Sequence, residues 1–532
     1  MFYHILCRYI SSKLKYRSIS FLKPISKLRL ISQSKDIKKS QLVIIYSCGI
    51  TTYSKPHIGN FRVYFENFKL LKIFEFLKDN EVISNKLQNY INFTDINDKI
   101  ERASDSEESY YELTNKIKED FLDDYNYLFP NIVTTFLSCK SFIPNIKSCI
   151  TSLLNKNLAE YTQKKDKKGI YLKVEKEENE NFCLWREDEE NRKVTFYYTN
   201  NKKKIKGVPG WHIECSTMIR QILKLEHKKT LNLHMGGSDL KIHHDNENTL
   251  LELENYSVFK YLKNKLVCTS SKEKMSKSLG NTFFPESLFS EKKVLNFIFS
   301  KTSIDREIIF NKEQLQNNVK QYTLIVNFLL RFEQRKNYNF SFLTIFKDSG
   351  VKIKKILYKM DSYFNNTEKQ IDKIKNLERR NFLYYYFLLN ELKKEIKNFL
   401  EANTLFLTTV INKRNDDYDE NSLSFQKIFH YLIKSIKVFN LLDLKNSDAQ
   451  DLINIIEDLN FFINFIPEYN FSLLNFINKN YLKYKLNKEF NFSDILRNFF
   501  YENNGIFFSN NKTKLENYVL LADSFFLKKN IN

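Results

Sequence analysis

After a basic amino-terminal stretch, the first apolar run is Gln41-Leu-Val-Ile-Ile-Tyr46, short and β-branched. It predicts a buried parallel strand. Cys48-Gly49 and Pro56-His-Ile-Gly-Asn60 follow, and from Phe61 to Phe76 the pattern predicts an amphipathic helix. A strand, a glycine-containing turn and a helix make the opening of a nucleotide-binding α/β unit. Tyr90-Ile-Asn-Phe-Thr94 predicts a second strand, ending at the acidic turn Asp95-Ile-Asn-Asp98. From about 120 to 205 the chain is charged and lacks such motifs, which predicts an insertion ending in the basic loop Lys202-Lys-Lys204. Past about 310 only Gly350 and Gly505 remain, and Leu, Ile, Phe, Lys and Glu recur at helical spacing, most clearly over Glu378–Glu401 and Ser422–Leu442. That half is expected to be a helical bundle. Lysine- and asparagine-rich stretches near 350–375 and 411–422 read as loops. The fold class is therefore α/β, a Rossmann-type parallel-sheet domain over 39–310 with an insertion, followed by an all-α domain and a carboxyl-terminal extension over 311–532.

The 532 residues suit two or three domains. No apolar run approaches the roughly eighteen residues of a membrane span, so no membrane partner is expected. The net charge of +21 favours a polyanionic partner, nucleic acid first. The 7 Cys are dispersed without a CxxC pair, which argues against a disulfide framework. Before Asp36 the chain carries eight Lys or Arg residues, several serines and no acid. This pattern predicts an organellar transit peptide over 1–38, mitochondrial or plastid-like, with a further cytoplasmic pool left open. A basic arm that holds RNA is the alternative. Without those eight charges the balance is still about +13.

Candidate chemistry concentrates in Leu231-Asn-Leu-His-Met-Gly-Gly-Ser-Asp-Leu-Lys-Ile-His-His-Asp-Asn-Glu247, which holds three histidines in a chain with only 8. His243 and Glu247 are four apart, so a helix would place them on one face, within reach of one metal ion. His244 also lies near Glu247 and competes for the same role. Seven of the ten glycines stand beside an unusual His, Cys, Trp or Lys: Gly49, Gly59, Gly207, Gly210, Gly236, Gly237 and Gly280. Lys274-Met-Ser-Lys-Ser278 puts two lysines among small residues, suited to neutralising a triphosphate as its charge develops.

Pro56-His-Ile-Gly-Asn60 and Lys274-Met-Ser-Lys-Ser278, in this order on this fold, resemble the paired signatures of class I aminoacyl-tRNA synthetases. Tyr46-Ser-Cys-Gly-Ile-Thr-Thr-Tyr53, Asn92-Phe-Thr-Asp-Ile-Asn-Asp-Lys99, Pro209-Gly-Trp-His-Ile-Glu-Cys215 and the segment from His234 to Glu247 resemble the cysteinyl-tRNA synthetase family. The likeness is dense from about 44 to 285, and the helical half matches only in layout.

The resemblance implies a cysteine–tRNA ligase that consumes L-cysteine and ATP with Mg2+, forms an adenylate, and charges tRNA(Cys) as a monomer. It implies an active-site Zn2+ on Cys48, Cys215, His243 and Glu247. Thiolates, imidazole and carboxylate are donors that zinc takes. It places Cys48, Gly49, Thr94, Trp211 and His234 about the amino acid. Catalysis is expected from His57, Asn60, Lys274 and Lys277, with Gly59, Gly237, Asp239, Met275 and Ser276 completing the ATP site. A lysine-loop region over about 260–310 and an anticodon-binding role for the helical half follow from the same likeness.

Three positions depart from the family pattern: Asn60 replaces a histidine, Met235 a glycine, and Ile242 a proline. Two other functions stay open at this stage. One is a synthetase-like RNA-binding factor without catalysis. The other is a cysteine ligase acting on an aminosugar, against which the long basic helical half argues.

Overall fold

A computed structural model describes residues 41–336, 377–466 and two strands at 506–510 and 517–521. Within these, residues 165–166, 174–181, 189–191, 201–202, 270–272, 290, 414–423 and 442–445 are excepted. The expected presequence, the loop near 350–375 and most of that near 411–422 lie outside the described residues.

Strand β1 (Leu42–Ser47) forms where the apolar run predicts it, with Val43, Ile44, Ile45 and Tyr46 buried. Its alternation feeds two cores: Val43 and Ile45 join one, Ile44 and Tyr46 the other. A strand covered on both faces reads as a continuous apolar run, as here. Next come α1 (Ile58–Asp79), β2 (Lys86–Phe93), α2 (Asp98–Arg102), α3 (Glu107–Leu128), β3 (Thr135–Ser138) and α4 (Ile143–Asn155).

The insertion is shorter than the sequence predicts. β3 pairs in parallel with β2, Tyr90 opposite Thr135, so residues 120–155 belong to the parallel-sheet layer. Phe121, Tyr125 and Leu128 are buried on one side of it and Ile146, Ile150 and Leu153 on the other. The charged residues between them mask this apolar spacing in the sequence. The insertion proper is an antiparallel sheet of β4 (Ala159–Lys164), β5 (Lys167–Leu172), β6 (Cys183–Glu187), β7 (Phe196–Asn200) and β8 (Lys203–Pro209), in the order β4-β5-β6-β8-β7. Lys203 and Lys204 open β8.

The chain then returns through α5 (Trp211–Leu225), β9 (Thr230–Gly237), α6 (Lys241–Leu253) and β10 (Ser257–Asn264). The main sheet has the order β10-β9-β1-β2-β3, parallel throughout. The strand order reverses between β1 and β9, and ligands of open α/β sheets bind in the crevice at such a point.

Two short parallel strands, β11 (Val267–Thr269) and β12 (Ile308–Phe310), flank the lysine loop, α7 (Pro285–Leu288) and α8 (Val294–Ser300). The helical half begins at α9 (Lys312–Lys336) and continues with α10 (Leu377–Asn412), α11 (Gln426–Leu441) and α12 (Asn446–Ile463). An antiparallel pair, β13 (Ile506–Asn510) and β14 (Asn517–Leu521), follows. No helix among the described residues is long and apolar enough to cross a membrane.

Helix α1 differs from the amphipathic helix that the sequence predicts. Most of its residues are buried, because the sheet covers one side and α10 and α12 the other. Phe76 meets Phe462 edge to face at 5.6 Å, and the Lys72 ammonium lies 5.1 Å from the Phe461 ring. Its two buried lysines pair along the helix, Lys69 with Glu66 and Lys72 with Glu75 at 2.9 Å. A second join runs through Asn232 in β9. Its Oδ1 accepts from the Ile44 amide of β1 at 3.1 Å, and its Nδ2 donates to the Val410 carbonyl of α10 at 3.0 Å.

Candidate active site

A cavity of about 470 Å³ opens at the carboxyl ends of β1 and β9. It gathers the motifs from across the sequence: Cys48 and Gly49, His57, Gly59 and Asn60, Thr94, Trp211 and Cys215, Gly237 and Asp239, His243, and Lys274 to Lys277. His234 and Glu247 stand behind its wall with no exposure.

Three elements bring the candidate metal donors together. Cys48 follows β1, Cys215 lies one turn into α5, and His243 and Glu247 lie a turn apart on α6. Donor atoms of all four fall within 4.8 Å of one another. A zinc tetrahedron with bonds of about 2.0–2.3 Å needs its donors roughly 3.3–3.8 Å apart, so small side-chain adjustments suffice. The donor set fits the metal in chemistry as well as spacing.

Neighbouring groups hold these donors. His243 Nδ1 lies 2.8 Å from His212 Nδ1, and its Nε2 lies 2.6 Å from Glu247 Oε1. The Trp211 ring stacks on His243 with centroids 4.1 Å apart. A second ring nitrogen held in this way fixes the face a metal-binding histidine presents. Burial alone would lower the His243 pKa, but the Glu247 carboxylate and Cys215 outweigh it and raise it to about 10. Burial pushes Glu247 up, yet His243 and His234 prevail and hold it well below the usual carboxylate range. Cys215 is pushed well above its ordinary value by its contact with Cys48, by burial and by the Glu247 charge.

His234 is placed differently from the amino-acid wall that the resemblance implies. It sits on β9 behind Glu247, with Nε2 2.9 Å from Oε2, and packs against Tyr46 and Tyr261. His244 turns to the same inner side, where Nε2 lies 3.6 Å from Cys48 Sγ. Cys48, His234, His244 and Glu247 thus make a second close grouping, which shares two members with the first. The Cys215–His243 grouping is the one at the cavity surface.

Two glycines are required by these close approaches. A Cβ on Gly49 would sit 1.3 Å from the Asn92 carbonyl oxygen, and one on Gly236 would come within 2.6 Å of the His244 ring. Gly49 instead donates its amide to Asn92 Oδ1 at 3.0 Å.

At the opposite wall, α1 begins with a reciprocal cap. His57 Nδ1 accepts from the Gly59 amide at 3.1 Å, while Asn60 Oδ1 accepts from the His57 amide at 2.9 Å. Burial, with Lys277 and Lys274 nearby, lowers the His57 pKa to about 4. The ring is therefore neutral near pH 7, and since Nδ1 accepts, Nε2 is the remaining N–H donor. Lys277 Nζ donates to the Ser54 hydroxyl at 2.7 Å and its carbonyl at 3.1 Å, and Lys274 pairs with Asp239.

Asn60 explains its own departure from the family pattern, because it closes the cap. Asn60→His is expected to lower stability by about 1 kcal/mol without raising the rate of pyrophosphate exchange. Denaturant midpoints and exchange rates check this, and a clear gain in rate would contradict it. Met235 is fully buried, and its carbonyl accepts from the Cys48 amide at 3.0 Å. Ile242 is exposed at the start of α6, and the structure gives no reason for an isoleucine there.

Sequence reasoning missed several groups. Lys99 and Lys277 lie 5.1 Å and 4.7 Å from the same Tyr53 ring, and Lys99 and Tyr53 line the cavity. His212 and Asn92 stood within quoted motifs without a role, and only their partners, distant in sequence, reveal one.

Known proteins place this architecture. The family model for the catalytic domain of class I (C) tRNA synthetases matches residues 34–175 and 163–320. A cysteine–tRNA ligase of Prochlorococcus marinus is 29% identical over 405 residues, covering 68% of this chain and 76% of that protein. One from Endomicrobium trichonymphae is 31% identical over 287 residues, covering 48% and 58%. One from Francisella tularensis is 28% identical over 401 residues, covering 68% and 81%. With the two signature motifs and the cysteine-type donor set meeting in one crevice, the chain belongs to the cysteinyl branch of the class I tRNA synthetases.

Proposed function

We propose that the chain is a zinc-dependent cysteine–tRNA ligase. Class I synthetases are ATP-dependent ligases, and cysteine as the amino acid is supported by the relatives' names and by the cavity. The observation that carries the reading is the meeting of Cys48, Cys215 and His243, with Glu247 behind them, at the wall of the cavity that also holds His57, Lys274 and Lys277.

Cys48, Cys215, His243 and Glu247 would hold the ion. When bound, zinc supplies a soft Lewis acid that favours a cysteine thiolate and gives little to a serine hydroxyl. Trp211 and Thr94 wall the amino-acid end. His57, neutral, offers an N–H to a phosphate oxygen, and the amino end of α1 adds its dipole. Lys277 and Lys274 meet the outer phosphates of ATP with its magnesium, and Lys274 would have to exchange Asp239 for them. The cysteine carboxylate then attacks the α-phosphorus, the bond to the bridging oxygen breaks, and pyrophosphate leaves. The terminal ribose hydroxyl of tRNA(Cys) next takes the cysteinyl group and releases AMP. The chain's part in both steps is positioning and electrostatic stabilisation. The helical half and the basic charge support tRNA as partner, and the acid-free basic first segment supports work in an organelle.

The test is cysteine-dependent ATP–pyrophosphate exchange by the full chain, run against serine and methionine, with and without zinc chelation. Exchange with cysteine alone, lost on chelation and restored by zinc, is expected. Exchange that survives full removal of the metal would refute the zinc assignment. No exchange from a folded, zinc-loaded chain would move the non-catalytic RNA-binding reading to the front.

A further inference from the structure

Arg62 lies five residues after His57, in the first turns of α1, and is 2% exposed. Its guanidinium donates to three main-chain carbonyls: Nη1 to Leu266 at 3.1 Å, and Nη2 to Ser303 at 2.8 Å and Arg306 at 2.5 Å. Taking a guanidinium out of water is unfavourable unless its donors are matched, so apolar packing alone would not call for arginine here.

All three acceptors belong to the platform from which the lysine loop springs. Leu266 immediately precedes β11, and its carbonyl also accepts from the Ile308 amide of β12 at 3.1 Å. Ser303 and Arg306 lie in the turn that leads to β12. The loop then folds back on β11. The Met275 amide donates to Val267 O at 3.1 Å and the Thr269 amide to Glu273 O at 3.0 Å, which seats Met275 in the core. Beyond the loop, the Ile58 amide donates to Phe283 O at 2.9 Å. The first turns of α1 therefore hold the loop at its root and at its exit, and the same turns carry His57.

We propose that Arg62 is a positioning residue, fixing Lys274 and Lys277 relative to His57 for adenylate formation. This rests on the functional reading above, since it acts through the lysines that meet ATP. Lysine at position 62 keeps the charge but loses the planar fork that reaches three carbonyls at once.

The test is a four-enzyme cycle of wild type, Arg62→Lys, Lys277→Ala and the double variant, read as kcat for cysteine-dependent pyrophosphate exchange. Arg62→Lys is expected to lower kcat by about 10- to 100-fold, with the KM for cysteine and the zinc content unchanged. In the Lys277→Ala background the same change is expected to cost clearly less than in wild type, because the share of its effect that runs through Lys277 is already gone and only the share through Lys274 remains. A loss in the double variant equal to the product of the single losses would overturn the proposal, as would an unchanged kcat in Arg62→Lys. Should Arg62→Lys fail to fold, Arg62→Gln takes its place in the cycle. If wild type shows no exchange at all, the functional reading fails, and Arg62 is judged by tryptic cleavage after Lys274 and Lys277. Faster cleavage there in the variant supports the assignment, and an equal rate refutes it.

Discussion

Cys215→Ser is expected to lower cysteine-dependent pyrophosphate exchange by about 100-fold or more and to leave the purified protein short of zinc. The lower bound comes from outer-shell partners, whose loss alone takes about 10- to 100-fold from metal affinity or activity. A thiol inside the ligand set should matter at least as much. Serine nearly matches cysteine in size, so the fold should survive and circular dichroism should change little. Zinc content and exchange rate, measured on one preparation, check the prediction. Normal zinc with normal exchange would remove Cys215 from the site. The dependence on pH has a definite sign. Contact with Cys48, burial and the Glu247 charge raise the Cys215 thiol well above its ordinary value, so metal must displace a proton there. The zinc concentration needed for half-maximal exchange should therefore rise as pH falls.

Lys277→Ala is the second large effect expected, about 10²- to 10³-fold in kcat, the range seen when one preorganised donor to developing charge is removed. The KM for cysteine should hold, because Lys277 stands at the end of the cavity proposed for the triphosphate. Burial, with Lys99 adding repulsion, lowers the Lys277 pKa to about 8. A lysine with a lowered pKa is charged below that value and neutral above it. The kcat/KM for ATP, which reports the free enzyme, should accordingly fall above about pH 8. Lys277→Arg should flatten that alkaline limb even where its absolute rate is lower, since arginine keeps its charge throughout. An identical alkaline limb in the arginine variant would assign the titration to another group.

Short-range pattern carried much of this molecule. β1 is a buried apolar run and β2 is buried toward its carboxyl end, and glycines such as Gly49, Gly207, Gly210 and Gly236 stand where backbone or rings come too close for a Cβ. Spacing brought both His243 and His244 within a helical turn of Glu247, and the family likeness chose His243. What stayed hidden was long-range or two-sided. α1 is covered on both faces by elements remote in sequence, which no pattern within its own residues records. β3 is four residues long and flanked by charged helices, so its place in the main sheet was invisible and the insertion was drawn too wide. His234 could be found but not placed, because only the fold shows that its ring backs Glu247. Arg62 looked like one basic residue among many, and its three acceptors lie more than two hundred residues away.

The join between the two halves has a thermodynamic consequence. One continuous apolar core runs from β1 and α1 into α10, α11 and α12, and Asn232 ties β1, β9 and α10 together. Loss of α12 would uncover the flank of α1, whose first residue follows His57. The boundary near residue 310 is thus a change of architecture along the chain but not a seam between independently melting units. The parallel-sheet half and the helical half are expected to draw on a single reserve of stability, so that a core lesion in one is felt in the other as a shift of the same unfolding transition.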